Sequence, residues 1–256
     1  MAKSRTYRAQ GVVLKQTPIG EADRILTLYT RQMGKIRVVA RGIRRTKSRL
    51  AGHLEPLTYA RVSIAEGRSL NAITEAETLR NFSALRENLG HVSSAIYVSD
   101  LVDSFSEDGS PNAPIFELLL KTLVEFQGTE KPMNLTRYFE VQLLKHSGFG
   151  PEFYHCVMCV SVLEPNNHMF SSAMGGIACP DCRTVSAGVL SPVSLSAVKV
   201  LRFFQRESLE KATALDVRAP LLAEMERVLR YYLRYVLDRT LKSADFVKQV
   251  ALTERG

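Results

Sequence analysis

The chain has 256 residues, 45% of them apolar, and a formal net charge of +8 from 34 Lys and Arg against 26 Asp and Glu. That apolar share supports a folded core without disulfide staples and excludes a disordered or low-complexity chain. The opening MAKSRTYRAQG lacks the apolar segment of a secretion signal, and no apolar run nears the ~18 residues that cross a bilayer, so a cytoplasmic protein with no membrane partner is expected.

In chain order, five short runs rich in Val, Ile, Thr and Leu come first, at residues 10–16, 24–30, 34–41, 56–66 and 69–77. Turn signals separate them, ending with Glu66-Gly67-Arg68, which reads as a hairpin connection. Five strands in so short a stretch predict a small barrel of the OB type; an SH3-like barrel fits the pattern less well. The period then becomes helical, with helices expected at 82–105, 114–126, 135–146, 194–205 and 220–237. Pro114 suits a first helical turn, and Gly148, Gly150 and Pro151 stop the third helix. The fold class is therefore α+β. A five-stranded OB-like barrel at 1–80 precedes an α-helical domain at 81–256, which carries a four-cysteine, zinc-binding insert at about 153–188.

Charge divides along the same line. Residues 1–80 hold 16 Lys and Arg against 6 Asp and Glu, whereas 81–256 hold 18 against 20. The whole excess thus lies in the barrel, as a polyanion-binding domain requires. Its centre is GKIRVVARGIRRTKSR at 34–49. Strand alternation puts Lys35, Arg37 and Arg41 on one face and Ile36, Val38 and Ala40 on the other. Arg44, Arg45, Lys47 and Arg49 follow in a loop. These seven cations are the candidate DNA-binding residues, since a phosphate backbone needs a cluster of this kind. Arg24 is a further candidate, though Glu21 and Asp23 stand beside it.

All four cysteines fall in Cys156-Val-Met-Cys159 and Cys179-Pro-Asp-Cys182. The spacing matches two knuckles of a four-thiolate zinc site. Four sulfur ligands leave no position for water, so one structural zinc is expected, not a catalytic one. His155 and His168 lie nearby and are expected outside the ligand set. No phosphate-binding glycine loop, nucleophile elbow or zinc-protease motif occurs, and a catalytic role is not expected.

The blocks GVVLK at 11–15, GEADRILTLYT at 20–30, the basic block at 34–49 and LEPL at 54–57 together resemble the N-terminal domain of the bacterial RecO recombination mediators. RYFEVQLLKHSGFGP at 137–151, the paired CxxC insert and LKSADF at 241–246 are similar to that family's C-terminal region, in the same order. The resemblance covers nearly the whole chain. It implies an OB-fold joined to a helical domain with a zinc-finger element, binding of single- and double-stranded DNA, and annealing of complementary strands in the bacterial cytoplasm, at the nucleoid. It further implies partnership with RecR, contact with the C-terminal tail of single-stranded DNA-binding protein, and help in loading RecA on coated strands. For that tail, Arg137 with Tyr138 is the candidate site, read as a cation at the lip of an apolar pocket. Two other readings stay open on the residues alone. One is a protein–protein adaptor with a zinc ribbon whose basic domain docks an acidic partner; the other is a nuclease, which would need acidic metal ligands beside the basic block.

Overall fold

The computed structural model describes residues 6–182, 190–238 and 242–253. Its contacts separate two compact units, Met1–Gly128 with Phe246–Gly256, and Thr129–Asp245.

The first unit is built on a closed barrel of β1 (Thr6–Ile19), β2 (Asp23–Thr30), β3 (Gly34–Ala40), β4 (Tyr59–Ala65) and β5 (Asn71–Arg80), in the order β1-β2-β3-β5-β4. β1 is longer than the sequence pattern implied because it serves both edges. Its first half pairs with β4 from Thr6↔Ala65 to Val12↔Tyr59, and its second half pairs with β2 from Gly11↔Thr30 to Ile19↔Asp23. A bulge between Val13 and Lys15 lets one strand bend around the ring in this way. β3 and β5 meet in parallel at Val38↔Asn71 and Val39↔Ala72. This five-strand ring is the expected OB-like barrel. Alternation fills its interior: Ala60, Val62 and Ile64 from β4 join Leu26, Leu28, Val38 and Ala40 in one buried cluster.

The strand pattern ends at Arg80, but the compact unit continues. α1 (Leu89–Phe105) packs on β1 and β2, and α2 (Ala113–Glu125) packs on α1. Phe116 of α2 lies 6.4 Å from the Tyr29 ring and 6.1 Å from the Tyr59 ring. The helix expected from residue 82 is divided. A 3-10 turn at Ser83–Glu87 comes first, and the Asn88 carboxamide then accepts from the His91 amide to start α1 afresh.

In the second unit α3 (Pro132–His146) is the central helix, with every residue from Asn134 to Leu144 buried. Packed on it are α4 (Leu195–Arg206), α5 (Leu209–Ala214) and α6 (Ala219–Leu237). β6 (His168–Ser171), β7 (Gly176–Ala178) and β8 (Leu190–Val193) form a small sheet in the order β7-β6-β8. α7 (Lys242–Thr253), the last element described, starts in this unit and from Phe246 is counted with the first. Residues 183–189 of the expected zinc insert and 239–241 near the terminal motif lie outside the described residues.

Candidate nucleic-acid interface and metal centre

The basic loop after β3 does not extend away from the barrel. Its backbone is pinned at the start, where the Gly42 amide donates to Asp23 Oδ1 at 2.7 Å and the Arg44 amide to the Ala22 carbonyl at 3.0 Å. Two successive turns follow, from Arg45 N to Gly42 O and from Ser48 N to Arg45 O. Between the cations, Ile43 is buried in the barrel cluster, and Leu50 and Ala51 pack against that cluster at the far side of the loop. The apolar side chains anchor the loop and leave its charged ones outside. Arg41, Arg44, Arg45, Lys47 and Arg49 are all exposed. None forms an ion pair with a carboxylate of the described residues. Their charge is free to meet a polyanion.

Lys35 and Arg37 are placed differently. Lys35 is outside the barrel, as alternation requires, but its side chain is only 9% exposed. It donates to the Asp103 carbonyl at 2.7 Å and lies 3.3 Å from the Asp103 carboxylate and 3.7 Å from that of Asp108. The expectation of a free surface cation at Lys35 is therefore corrected. α1 and the segment after it cover this part of the barrel, and Lys35 is spent holding them. The Gly109 amide donates to the Lys35 carbonyl at 2.8 Å, and Lys15 pairs with Asp103 from β1. Gly34 is required here: at φ +62°, a Cβ would stand 2.0 Å from the Ser110 carbonyl oxygen. Burial alone would raise the Asp103 pKa, yet the hydrogen bond and charge of Lys15, together with Lys35, hold it below the ordinary carboxylate value. Arg37 is half exposed and pairs with Asp108 at 3.2 Å. Arg24 donates to the Gln16 carboxamide, not to Glu21 or Asp23.

Arg137 and Tyr138 do not line a pocket mouth. The Arg137 side chain is 3% exposed and lies 3.2 Å from the fully buried Glu140 carboxylate one turn on. Tyr138 is buried, donates to the Glu207 carbonyl at 3.3 Å and stacks edge-on against Phe204. Asn134 and Gln142 likewise donate to the Leu215 and Phe204 carbonyls, at 2.7 and 2.6 Å. The polar side chains of α3 thus tie it to its neighbours, and the reading of Arg137 as a lip cation is corrected on this ground.

The second unit brings all four cysteines together. The Sγ atoms of Cys156, Cys159, Cys179 and Cys182 lie within 4.8 Å of one another, with 3.9 Å between Cys159 and Cys179. A tetrahedron of sulfurs at ~2.3 Å from one ion has edges of about 3.8 Å, so the cluster has the size a single zinc needs. The backbone supports thiolates: the Met158 and Cys179 amides each approach Cys156 Sγ at 3.4 Å. The first knuckle closes with the Val160 amide donating to the Cys156 carbonyl, and it joins β7 where the Val157 amide donates to the Ile177 carbonyl. Gly176 permits that approach, since a Cβ there would sit 2.6 Å from both the Glu152 carbonyl and Val157 Cγ1. Ser161 pulls the Cys159 thiol down to about 6, while the Cys179 and Cys159 sulfurs push Cys182 up to about 12. Four sulfurs this close cannot all ionise without a cation among them. Neither expected bystander joins the cluster. His155 faces Glu152, and His168 is buried with its Nε2 on the Glu164 carbonyl.

Comparison with known families gives two matches, which divide the chain near residue 84 and not at the boundary of the compact units. The family described as Recombination protein O N terminal matches residues 1–82, and Recombination protein O C terminal matches residues 86–245. The chain belongs to the RecO family. A protein named DNA repair protein RecO from Dehalococcoides mccartyi is 38% identical over 243 residues, covering 95% of each chain. One of the same name from a Roseiflexus species is 38% identical over 97% of this chain and 87% of its own. A third, from Desulforamulus reducens, is 34% identical over 98% of each. Membership carries a role in DNA repair and recombination. No helix among the described residues is long and apolar enough to cross a membrane.

Proposed function

We propose that this RecO-family chain is a non-enzymatic recombination mediator that binds single- and double-stranded DNA through the loop at 41–49 and anneals complementary strands. The observation that carries the reading is the set of five exposed cations, Arg41, Arg44, Arg45, Lys47 and Arg49, free of internal ion pairs and held by Ile43 on an OB-like barrel. Cations already paired would have to break those pairs to reach DNA, whereas these need not. Arg37 supplements them at the edge, and Lys35 does not. Two strands bound together in this way repel each other less, which is the physical route to annealing. The loop presents Arg and Lys with no aromatic side chain among them, so backbone charge outweighs base stacking and sequence preference is weak.

The cysteine cluster holds one zinc in a structural role, through Cys156, Cys159, Cys179 and Cys182. In the mediator reading the chain works in the bacterial cytoplasm with RecR, contacts the C-terminal tail of single-stranded DNA-binding protein, and helps RecA load on coated strands. Arg137 and Tyr138 contribute to the packing of α3 in this account, and the tail would need a different surface.

The test is duplex affinity against salt concentration. Five phosphate contacts give a slope of log K on log salt of about −4.5, at ~0.9 per contact. Replacing Arg44, Arg45 and Lys47 with Glu should cut the slope to about −2 or less, by the same rule. An unchanged slope would reject the loop as the interface.

A further inference from the structure

α6 carries a second surface with the chemistry of a nucleic-acid contact. Its inward side is accounted for by Met225, Val228, Leu229, Tyr232 and Leu233, all buried. Tyr232 is used internally: its hydroxyl donates to the Phe149 carbonyl at 2.9 Å, and its ring meets Phe170 edge-on at 5.4 Å. The outward side has a different composition. Arg227, Arg230 and Arg234 recur at three- and four-residue spacing and so form one stripe. Tyr231 and Tyr235 flank it, 44% and 58% exposed. Neither tyrosine side chain makes a hydrogen bond or ring contact with any described residue, and none of the three arginines pairs with a described carboxylate. Arg227 donates to the Pro192 carbonyl, which orients it and leaves its charge uncompensated. Three carboxylates stand near the stripe: Glu224, which accepts from the Ser194 amide and hydroxyl, Glu226, one turn before Arg230, and Asp238 at the helix C-terminus.

A solvated helix face usually mixes Lys, Glu and Gln. Three arginines with two exposed phenols instead combine phosphate-pairing forks with flat apolar rings, the pairing that single strands require. From Arg227 to Arg234 the stripe runs about 10 Å along the helix, with successive cations about 4.5 and 6 Å apart along its axis.

We propose that the outward face of α6 is a second DNA contact, on which a single strand sets its phosphates against Arg227, Arg230 and Arg234 and stacks bases on Tyr231 and Tyr235. This rests on the reading that the chain handles single-stranded DNA, but it places a contact outside the barrel. It also differs in kind. The loop at 41–49 meets backbone charge alone, whereas α6 adds ring stacking and so favours unpaired bases.

The test is anisotropy of a fluorescent oligothymidylate of about 30 nucleotides titrated at several salt concentrations. Arg230→Gln with Arg234→Gln should reduce the salt slope by about 1.4, at ~0.7 per single-strand contact. Tyr231→Ala with Tyr235→Ala should lower affinity by about tenfold or more while leaving the slope unchanged. Duplex affinity should respond to the arginine pair but not to the tyrosine pair. Single-strand binding unaltered in both variants, with the Arg44, Arg45 and Lys47→Glu protein losing it entirely, would overturn the α6 proposal and leave the barrel reading intact. Loss in the α6 variants with no loss in the barrel variant would uphold α6 and reject the barrel loop.

Discussion

Lys35→Met separates a cation that holds the fold from cations that meet DNA. The substitution keeps the aliphatic stem and removes the charge from a side chain that is 9% exposed. Lost with it are the 2.7 Å hydrogen bond to the Asp103 carbonyl and the proximity to two carboxylates at 3.3 and 3.7 Å. Asp103 retains Lys15, and Asp108 retains Arg37, so neither acid is stranded. A hydrogen bond from a charged donor contributes ~1.5–3 kcal/mol. The lost Coulomb attraction is partly offset by the remaining partners, which puts the total near 2–3 kcal/mol. For a unit of this size that lowers the melting temperature by about 5–10 °C. Calorimetry measures it, and duplex binding is followed in parallel below the transition. The slope of affinity on salt should not change. A melting point within about 1 °C of the parent, joined to a slope smaller by ~0.9, would show Lys35 on the phosphates and refute the reasoning.

Ile43→Ala should cost about 2–4 kcal/mol by leaving a cavity in the barrel cluster. It should also speed hydrogen exchange at the Arg44 and Ser48 amides, since the loop loses its anchor. Protein purified without added zinc should contain about one zinc per chain, and Cys156→Ser should abolish it; a metal-free, fully folded parent would contradict the four-sulfur site. Asp103 has a folded pKa below its unfolded value of ~3.9, so its contribution is complete above that value and is lost as pH falls through the lower folded one. Chemical denaturation from pH 6 downward should show the parent losing stability below about pH 4, and Asp103→Asn should flatten that limb.

Local pattern made the barrel legible, because inward and outward residues alternate and Gly or Pro marks each turn. The inward set Ile36, Val38 and Ala40 follows from this alone. What alternation cannot report is what covers the outward side. Lys35 faces away from the barrel interior, yet Asp103 and Asp108, some seventy residues on, close over it. An acid pair with a basic strand far upstream is weak evidence until the fold brings them together. The same limit applies to α3. Arg137, Glu140 and Gln142 look like a solvated face in sequence, but the helix is buried on every side and the polar groups bond inward. Opposite charges at Arg137 and Glu140, one turn apart, were the available sign of internal pairing. The cysteines were the clearest signal, since two-residue knuckles fix sulfur positions locally and require little from the rest of the chain. The short strands β6, β7 and β8 that support them were not legible: runs of three or four residues, interrupted by Gly175 and Pro192, show no measurable period. Ile43 was equally hidden, one apolar residue among cations whose value depends on the barrel mouth beside it.

The central claim is that the loop cations let this chain bring complementary strands together. The direct measurement is the annealing rate of two complementary oligonucleotides at about 0.15 M salt, with the parent and with the Arg44, Arg45 and Lys47→Glu protein. The account predicts at least about a tenfold loss of rate in the variant, recovered in part as salt is lowered. Equal rates in the two proteins would contradict it.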